Sequence, residues 1–316
     1  MGGVVPTDEG NAAQASQRAA RSRGKVRGLL SLTAFLVATL AIVWAIGGQW
    51  RVVLERVDDL DPLIAFAAAI AGTAMICCSG MTLAVLVKPT SRGFGGLWAV
   101  AKIYLIAQLL KYLPGRIWAV LYQVDKLRQM TGGHMAVAAS LTHMFLSVFG
   151  SVVLFGAATR PGPVIWPFAI AAVCFWLWRG GAARYFGIAG NEWASGSLLC
   201  RLAVLTLAEW LTFLVAMWLV CWSIGATHEF SLPLVAFYVV AWIAGSLSVL
   251  TPGGLVVREG GFVLLCQLNG VAPEFSLALA LLARVVFTAG EFMAAAVGWL
   301  VPLGRTGLPG AQDSGS

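Results

Sequence analysis

"SVLTPGGLVVREGGFVLL", Ser248 to Leu265, interrupts one of the most apolar regions of the chain with a Pro-Gly-Gly break. Arg258 and Glu259 follow about one helical turn later. Upstream, residues 232–250 hold no charged side chain. A run of that length approaches the ~20 residues that cross a bilayer. Irregular backbone and charge at such depth survive only where protein or a polar cavity surrounds them. The stretch therefore reads as part of an intramembrane site. The plainer alternative puts both charges at an interface, where long side chains snorkel to water.

The rest of the chain supports a membrane setting. Of 316 residues, 59% are hydrophobic and 11% charged, with mean hydropathy +0.84. A soluble domain carries roughly 25% charged residues, so this composition cannot build a water-exposed surface. Apolar segments recur at 29–48, 62–87, 97–113, 134–158, 163–179, 198–224, 232–250 and 274–301. Two shorter pieces, 115–130 and 254–268, directly follow Pro-Gly breaks. The predicted class is an all-α polytopic membrane protein with about eight hydrophobic segments. A β-barrel is excluded, because barrels read as short alternating segments.

Charge sets the expected topology. Residues 1–28 form a polar tail ending in Arg18, Arg21, Arg23, Lys25 and Arg27, read as disordered, cytoplasmic and in contact with anionic headgroups. The pairs Lys88/Arg92, Lys126/Arg128 and Arg179/Arg184 mark the same side, whereas the acidic loop with Asp58, Asp59 and Asp61 faces outward. One transmembrane domain, 29–303, is thus expected in a bacterial inner membrane, with a short tail at 304–316 and both termini cytoplasmic. The net charge of +7 follows from this topology and does not call for nucleic acid. Six cysteines without C-x-x-C spacing read as small packing residues, and His134, His143 and His228 lack metal-ligand spacing. With no nucleotide loop either, no cofactor is expected.

An internal repeat emerges when Pro114-Gly115 is laid on Pro252-Gly253, an offset of 138 residues. "LRQMTG" (127–132) then falls on "LCQLNG" (265–270), Leu109 on Leu247 and Leu141 on Leu279. Each copy has an apolar helix, a Pro-Gly break, a half-length helix, a Gly and another apolar helix. The basic loops give the two copies opposite orientations if each break turns a hairpin, as in transporters that place a site near the bilayer midplane. Eight plain crossings with interfacial half-helices are the alternative.

At the second break, Pro252, Gly253 and Gly254 favour a sharp reversal and leave the next helix's positive end inside the membrane. Arg258 adds a full charge, so an anion, best a phosphate, is the expected occupant. Glu259 lies about 100° further round the helix and is expected to point away from Arg258. Glu209 stands alone near the middle of 198–224, and Arg284 and Glu291 lie two turns apart in the last segment. These three form either an ion-pair network or coupling groups. Lys111, Tyr112, Arg116 and Trp118 flank Pro114-Gly115 as substrate contacts or interface anchors.

"TPGGLVVREGGFVLL" closely resembles the P-x-G-x-G-x-R-E signature of the lysylphosphatidylglycerol synthase/flippase membrane-domain family, with Val256 where many members have Gly. "KYLPGRIWAV" looks like a Pro-Gly-x-x-Trp variant of that family's upstream motif, and the resemblance spans roughly 29 to 303. It implies a lipid flippase-like transporter, with Pro252, Gly253, Gly254, Arg258 and Glu259, and Pro114, Gly115 and Trp118 upstream, carried over as site residues. Bifunctional members add an aminoacyl-transferase domain where only "PLGRTGLPGAQDSGS" follows here. Translocation without lysyl-lipid synthesis is therefore expected. The implied partner is an anionic phospholipid or polyprenyl phosphate, alongside an envelope glycan or lipid synthase or a second copy of the chain. Two competing readings are an enzyme acting on lipid-linked sugar through the Asp58–Asp61 cluster and a non-catalytic scaffold.

Overall fold

A computed structural model describes residues 60–87, 94–112, 117–131, 133–158, 196–247 and 257–301. Among these there are eight α-helices and no strand: α1 (Pro62–Val87), α2 (Phe94–Leu110), α3 (Ile117–Thr131), α4 (Gly133–Ala158), α5 (Gly196–Ser223), α6 (Leu232–Leu247), α7 (Val257–Leu268) and α8 (Pro273–Leu300). Each falls on an apolar segment or half-length piece expected from the sequence. Segments 29–48 and 163–179 lie outside the described residues, as do both tails and both Pro-Gly breaks.

Among the described residues, three helices are long and apolar enough to cross a membrane: α1, α5 from Ser197, and α8. At 1.5 Å per residue, the 26 residues of α1 reach about 39 Å, beyond the ~30 Å hydrocarbon core. The apolar stretches Gly96–Leu110 of α2 and Leu232–Gly245 of α6 are shorter. Large apolar side chains lie exposed along these helices, including Phe66, Leu207, Leu211, Val285 and Trp299, as expected of a surface that meets lipid.

Asp61 starts α1 as its N-cap: Oδ1 accepts hydrogen bonds from the Leu63 (2.9 Å) and Ile64 (3.1 Å) backbone amides. That gives this member of the acidic loop a structural job. Asp58 and Asp59 lie outside the described residues. At the other end of the chain, Gly270 closes α7 with φ 78°, a left-handed value that favours glycine. It is the glycine of "LCQLNG", which the Pro-Gly alignment lays on Gly132.

Close packing depends on small residues. A β-carbon on Gly290 of α8 would stand 3.0 Å from the Ala69 carbonyl oxygen and 3.2 Å from the Thr73 amide nitrogen of α1. The two backbones therefore meet almost directly, and the Thr73 hydroxyl donates to the Gly290 carbonyl at 3.1 Å. Gly80 makes similar room for Tyr104 and Ala101 of α2. Gly150 of α4 leaves the space into which the Trp210 indole nitrogen of α5 fits.

The helices themselves recur at the offset of 138. Phe94, where α2 starts, falls on Leu232, where α6 starts, and α1, α3 and α4 fall on α5, α7 and α8 within a few residues. Packing follows the same exchange. Contact of α2 with α8 is matched by α6 with α4, α2–α3 by α6–α7, α3–α4 by α7–α8, and α1–α8 by α5–α4. The extensive α1–α5 pair is its own counterpart. The α1–α2 contact breaks the pattern, because the matching α5–α6 contact is at most slight.

Chemistry does not follow this exchange. Arg258 and Glu259 are buried, whereas Val120 and Leu121, 138 residues earlier, are exposed apolar residues. Glu209, Arg284 and Glu291 likewise correspond to Ala71, Leu146 and Val153. The frame is nearly two-fold and the charge is one-sided.

Candidate functional site

Residues 196–301 carry most of the buried charge. Arg258 and Glu259, in the first turn of α7, are only 8% and 5% exposed. Arg258 Nε donates to Glu259 Oε1 at 3.2 Å. This corrects the expectation that successive positions 100° apart must diverge: the arginine stem is long enough to fold its head back onto its neighbour. Arg284 Nη1 approaches the same Glu259 oxygen at 3.8 Å. Arg284 thus reaches across from α8 to Glu259 on α7.

Glu291 instead takes partners from the end of α2. Lys111 Nζ donates to its Oε1 at 2.5 Å, and Tyr112 Oη donates to its Oε2 at 2.5 Å. Tyr112 Oη also lies 3.1 Å from Thr288 Oγ1, and Lys111 Nζ 3.4 Å from Gln108 Oε1. The Arg284 guanidinium stands over the Tyr112 ring at 5.6 Å, which joins the two ion pairs through an aromatic face. Lys111 and Tyr112 thus belong to the buried cluster rather than to a membrane interface. Trp118, by contrast, is 50% exposed. Pro114, Gly115, Arg116, Pro252, Gly253 and Gly254 lie outside the described residues.

A cavity of about 60 Å³ opens beside this cluster, several times the roughly 15 Å³ that admits one water. Arg258, Glu209 and Glu291 line it, together with an aromatic wall that includes Tyr238, Phe213 and Trp242. The Arg258 guanidinium lies 5.4 Å from the centre of the Tyr238 ring. Three donors on this wall are buried without a hydrogen-bond partner among the described residues: Arg258 Nη2, the Tyr238 hydroxyl and Trp210 Nε1. Buried donors in folded proteins are ordinarily satisfied, so three orphans on one cavity mark a place where a partner is missing.

Glu209, 9% exposed, reaches the cavity from α5. It forms no ion pair among the described residues and has hydroxyl partners instead: Ser147 Oγ at 3.4 Å, with Ser79 also facing it. Glu209, Arg284 and Glu291 therefore do not form one ion-pair network. Ser79 Oγ lies 3.0 Å from both Tyr104 Oη and His143 Nε2, and the Tyr104 and His143 rings meet edge to face at 4.9 Å.

Ser79, Tyr104, His143 and Tyr238 were not among the sequence-derived candidates. The available signal was His143, an ionisable side chain inside a long apolar run, which marks it as a functional candidate by default. Among the described residues no cluster of His, Cys, Asp and Glu could hold a metal ion. Cys221 and Cys266 are buried, Cys77 and Cys78 half-buried and Cys200 exposed, all as free thiols; Cys174 lies outside the described residues. No protein-family model, curated protein or solved structure matches this chain.

Proposed function

We propose that this protein is a lipid flippase-like transporter, which moves an anionic lipid between leaflets by admitting its phosphate to the cavity at Arg258. The observation that carries this reading is the Arg258 guanidinium, buried beside that cavity with Nη2 unpaired while its Nε is spent on Glu259. A planar guanidinium with spare N–H groups suits a phosphoryl oxygen, and the Tyr238 hydroxyl offers a second donor. Acyl or prenyl chains stay in the surrounding lipid, so only the headgroup crosses through protein.

The recurrence of four helices at one offset supports two inverted repeats whose broken helices meet near the midplane. In that arrangement the protein sits in a bacterial inner membrane with both termini cytoplasmic, and the charged second half carries the cargo site. Candidate cargoes are phospholipids and polyprenyl phosphates, and an envelope glycan or lipid synthase is the natural supplier or consumer.

The test is translocation of a fluorescent anionic phospholipid in proteoliposomes. Arg258→Ala is expected to abolish transport while the protein still inserts and elutes as a monodisperse species. Arg258→Lys retains a point charge without the fork and should transport weakly. Wild-type-like transport by Arg258→Ala overturns the assignment.

A further inference from the structure

Four helices bring a second polar group into the bundle beside the anion cavity. Ser79 comes from α1, Tyr104 from α2, His143 from α4 and Glu209 from α5. Ser79 is the hub: it touches Tyr104 and His143 at 3.0 Å each and faces Glu209. Ser79, His143 and Glu209 are all buried. The anion site makes no use of His143 or Ser79. A hydrogen-bonded set of this kind is expensive to bury among apolar helices and typically serves proton or ion movement.

The charge balance around the cavity points the same way. Lys111, Arg258 and Arg284 stand with Glu209, Glu259 and Glu291, three formal cations with three carboxylates. An anion arriving at Arg258 leaves one negative charge uncompensated. Glu259 and Glu291 are both held by cations, whereas Glu209 has only hydroxyl partners. Glu209 is thus the carboxylate that can be neutralised without breaking an ion pair. The titratable groups facing it are Cys78 from α1, Tyr104 from α2, His143 from α4, Tyr238 from α6, Arg258 from α7 and Glu291 from α8.

We infer that Glu209, Ser79 and His143 form a proton-binding site that takes up one proton together with the anionic group at Arg258. This rests on the transport reading above and supplies its coupling ion. The transfer balances with one proton from water. That proton binds His143 Nδ1 as the Nε2 proton passes to the Ser79 oxygen and the Ser79 hydroxyl proton moves to Glu209. Neutral imidazole, an intact serine and a carboxylic acid remain. Tyr104, bonded to the same oxygen, positions the hydroxyl.

The experiment adds dihexanoylphosphatidylglycerol to protein in weakly buffered detergent solution, with a pH indicator reporting proton uptake and calorimetry reporting binding. Wild type is expected to take up one proton per lipid bound. Glu209→Gln, whatever its affinity, should take up no proton per lipid bound. Ser79→Ala should slow uptake sharply, and Ser79→Thr, which keeps the hydroxyl, should restore it. Binding without uptake by wild type, or uptake undiminished in Glu209→Gln, overturns the proposal; if that variant does not fold, undiminished and unslowed uptake by Ser79→Ala does so. Failure of wild type to bind the lipid defeats the transport reading instead. In that case pH-difference infrared spectra of the lipid-free protein in nanodiscs decide the proton site. A titrating carboxyl band lost in Glu209→Gln retains it, and no such band overturns it as well.

Discussion

Lys111 and Glu291, 180 residues apart in sequence, meet with Nζ and Oε1 2.5 Å from each other. The contact fastens the end of α2 to the middle of α8, and Tyr112 fastens the other carboxylate oxygen. Two consecutive residues after a helix thereby satisfy one buried acid completely.

Removing one partner should therefore cost more than removing both. Lys111→Met leaves Glu291 without its cation, and breaking a buried pair from one side costs about 3 kcal/mol. Lys111→Met with Glu291→Gln removes charge from both sides and should recover most of that loss. Thermal unfolding in detergent of the two variants and wild type checks the order; equal destabilisation would show that the pair is not coupled.

Tyr238 separates fold from function. Its hydroxyl is buried without a hydrogen-bond partner among the described residues, so Tyr238→Phe relieves an unsatisfied group and should leave the melting temperature unchanged or raised. The same variant removes a donor from the anion cavity and should weaken lipid binding several-fold, since one hydrogen bond to a charged group is worth about 1.5 kcal/mol. A stability loss of Tyr238→Phe would mean the hydroxyl already has a partner.

How much of this was legible in the sequence depends on what each feature requires. Helices 62–87, 134–158 and 274–301 were visible because a long apolar run has few other ways to satisfy its backbone in lipid. Arg258 and Glu259 stood out as the charges in an uncharged stretch. Their partners did not, because whether Glu259 meets Arg258, Arg284 or neither depends on side-chain reach and helix approach. Ser79 is one small hydroxyl among many in apolar helices, and nothing local distinguishes it until His143 arrives from 64 positions away.

Gly150 offers a packing test. A β-carbon there would lie 2.0 Å from Trp210 Nε1 and 2.5 Å from its Cδ1, closer than atoms can approach. Gly150→Ala must displace the indole, a large ring that itself lines the cavity, and should destabilise by about 1–3 kcal/mol. A shift in tryptophan fluorescence together with a lower melting temperature is the expected result, and Trp210→Phe in the same background should relieve part of it.

Gly290 tests the contact between the halves. Its alanine variant presses on the Ala69 carbonyl and the Thr73 amide, backbone atoms that cannot rotate away. A loss comparable to that of Gly150→Ala is expected, larger than for Thr73→Ala, which forfeits one interhelical hydrogen bond worth roughly 0.6 kcal/mol. Thermal melts of the two single variants rank these effects; a milder Gly290→Ala would show that the helices can part without cost.

The one-sided placement of charge on a nearly two-fold frame has an electrical consequence. Five of the six cluster charges belong to the second half, and Lys111, the sixth, is tied to Glu291 within it. A body that carries its countercharges along does no net work when it shifts through a membrane voltage, where each uncompensated charge would cost ~2.3 kcal/mol per 100 mV. On the transport reading proposed above, a voltage response at this cluster therefore comes from its cargo rather than from its own charges.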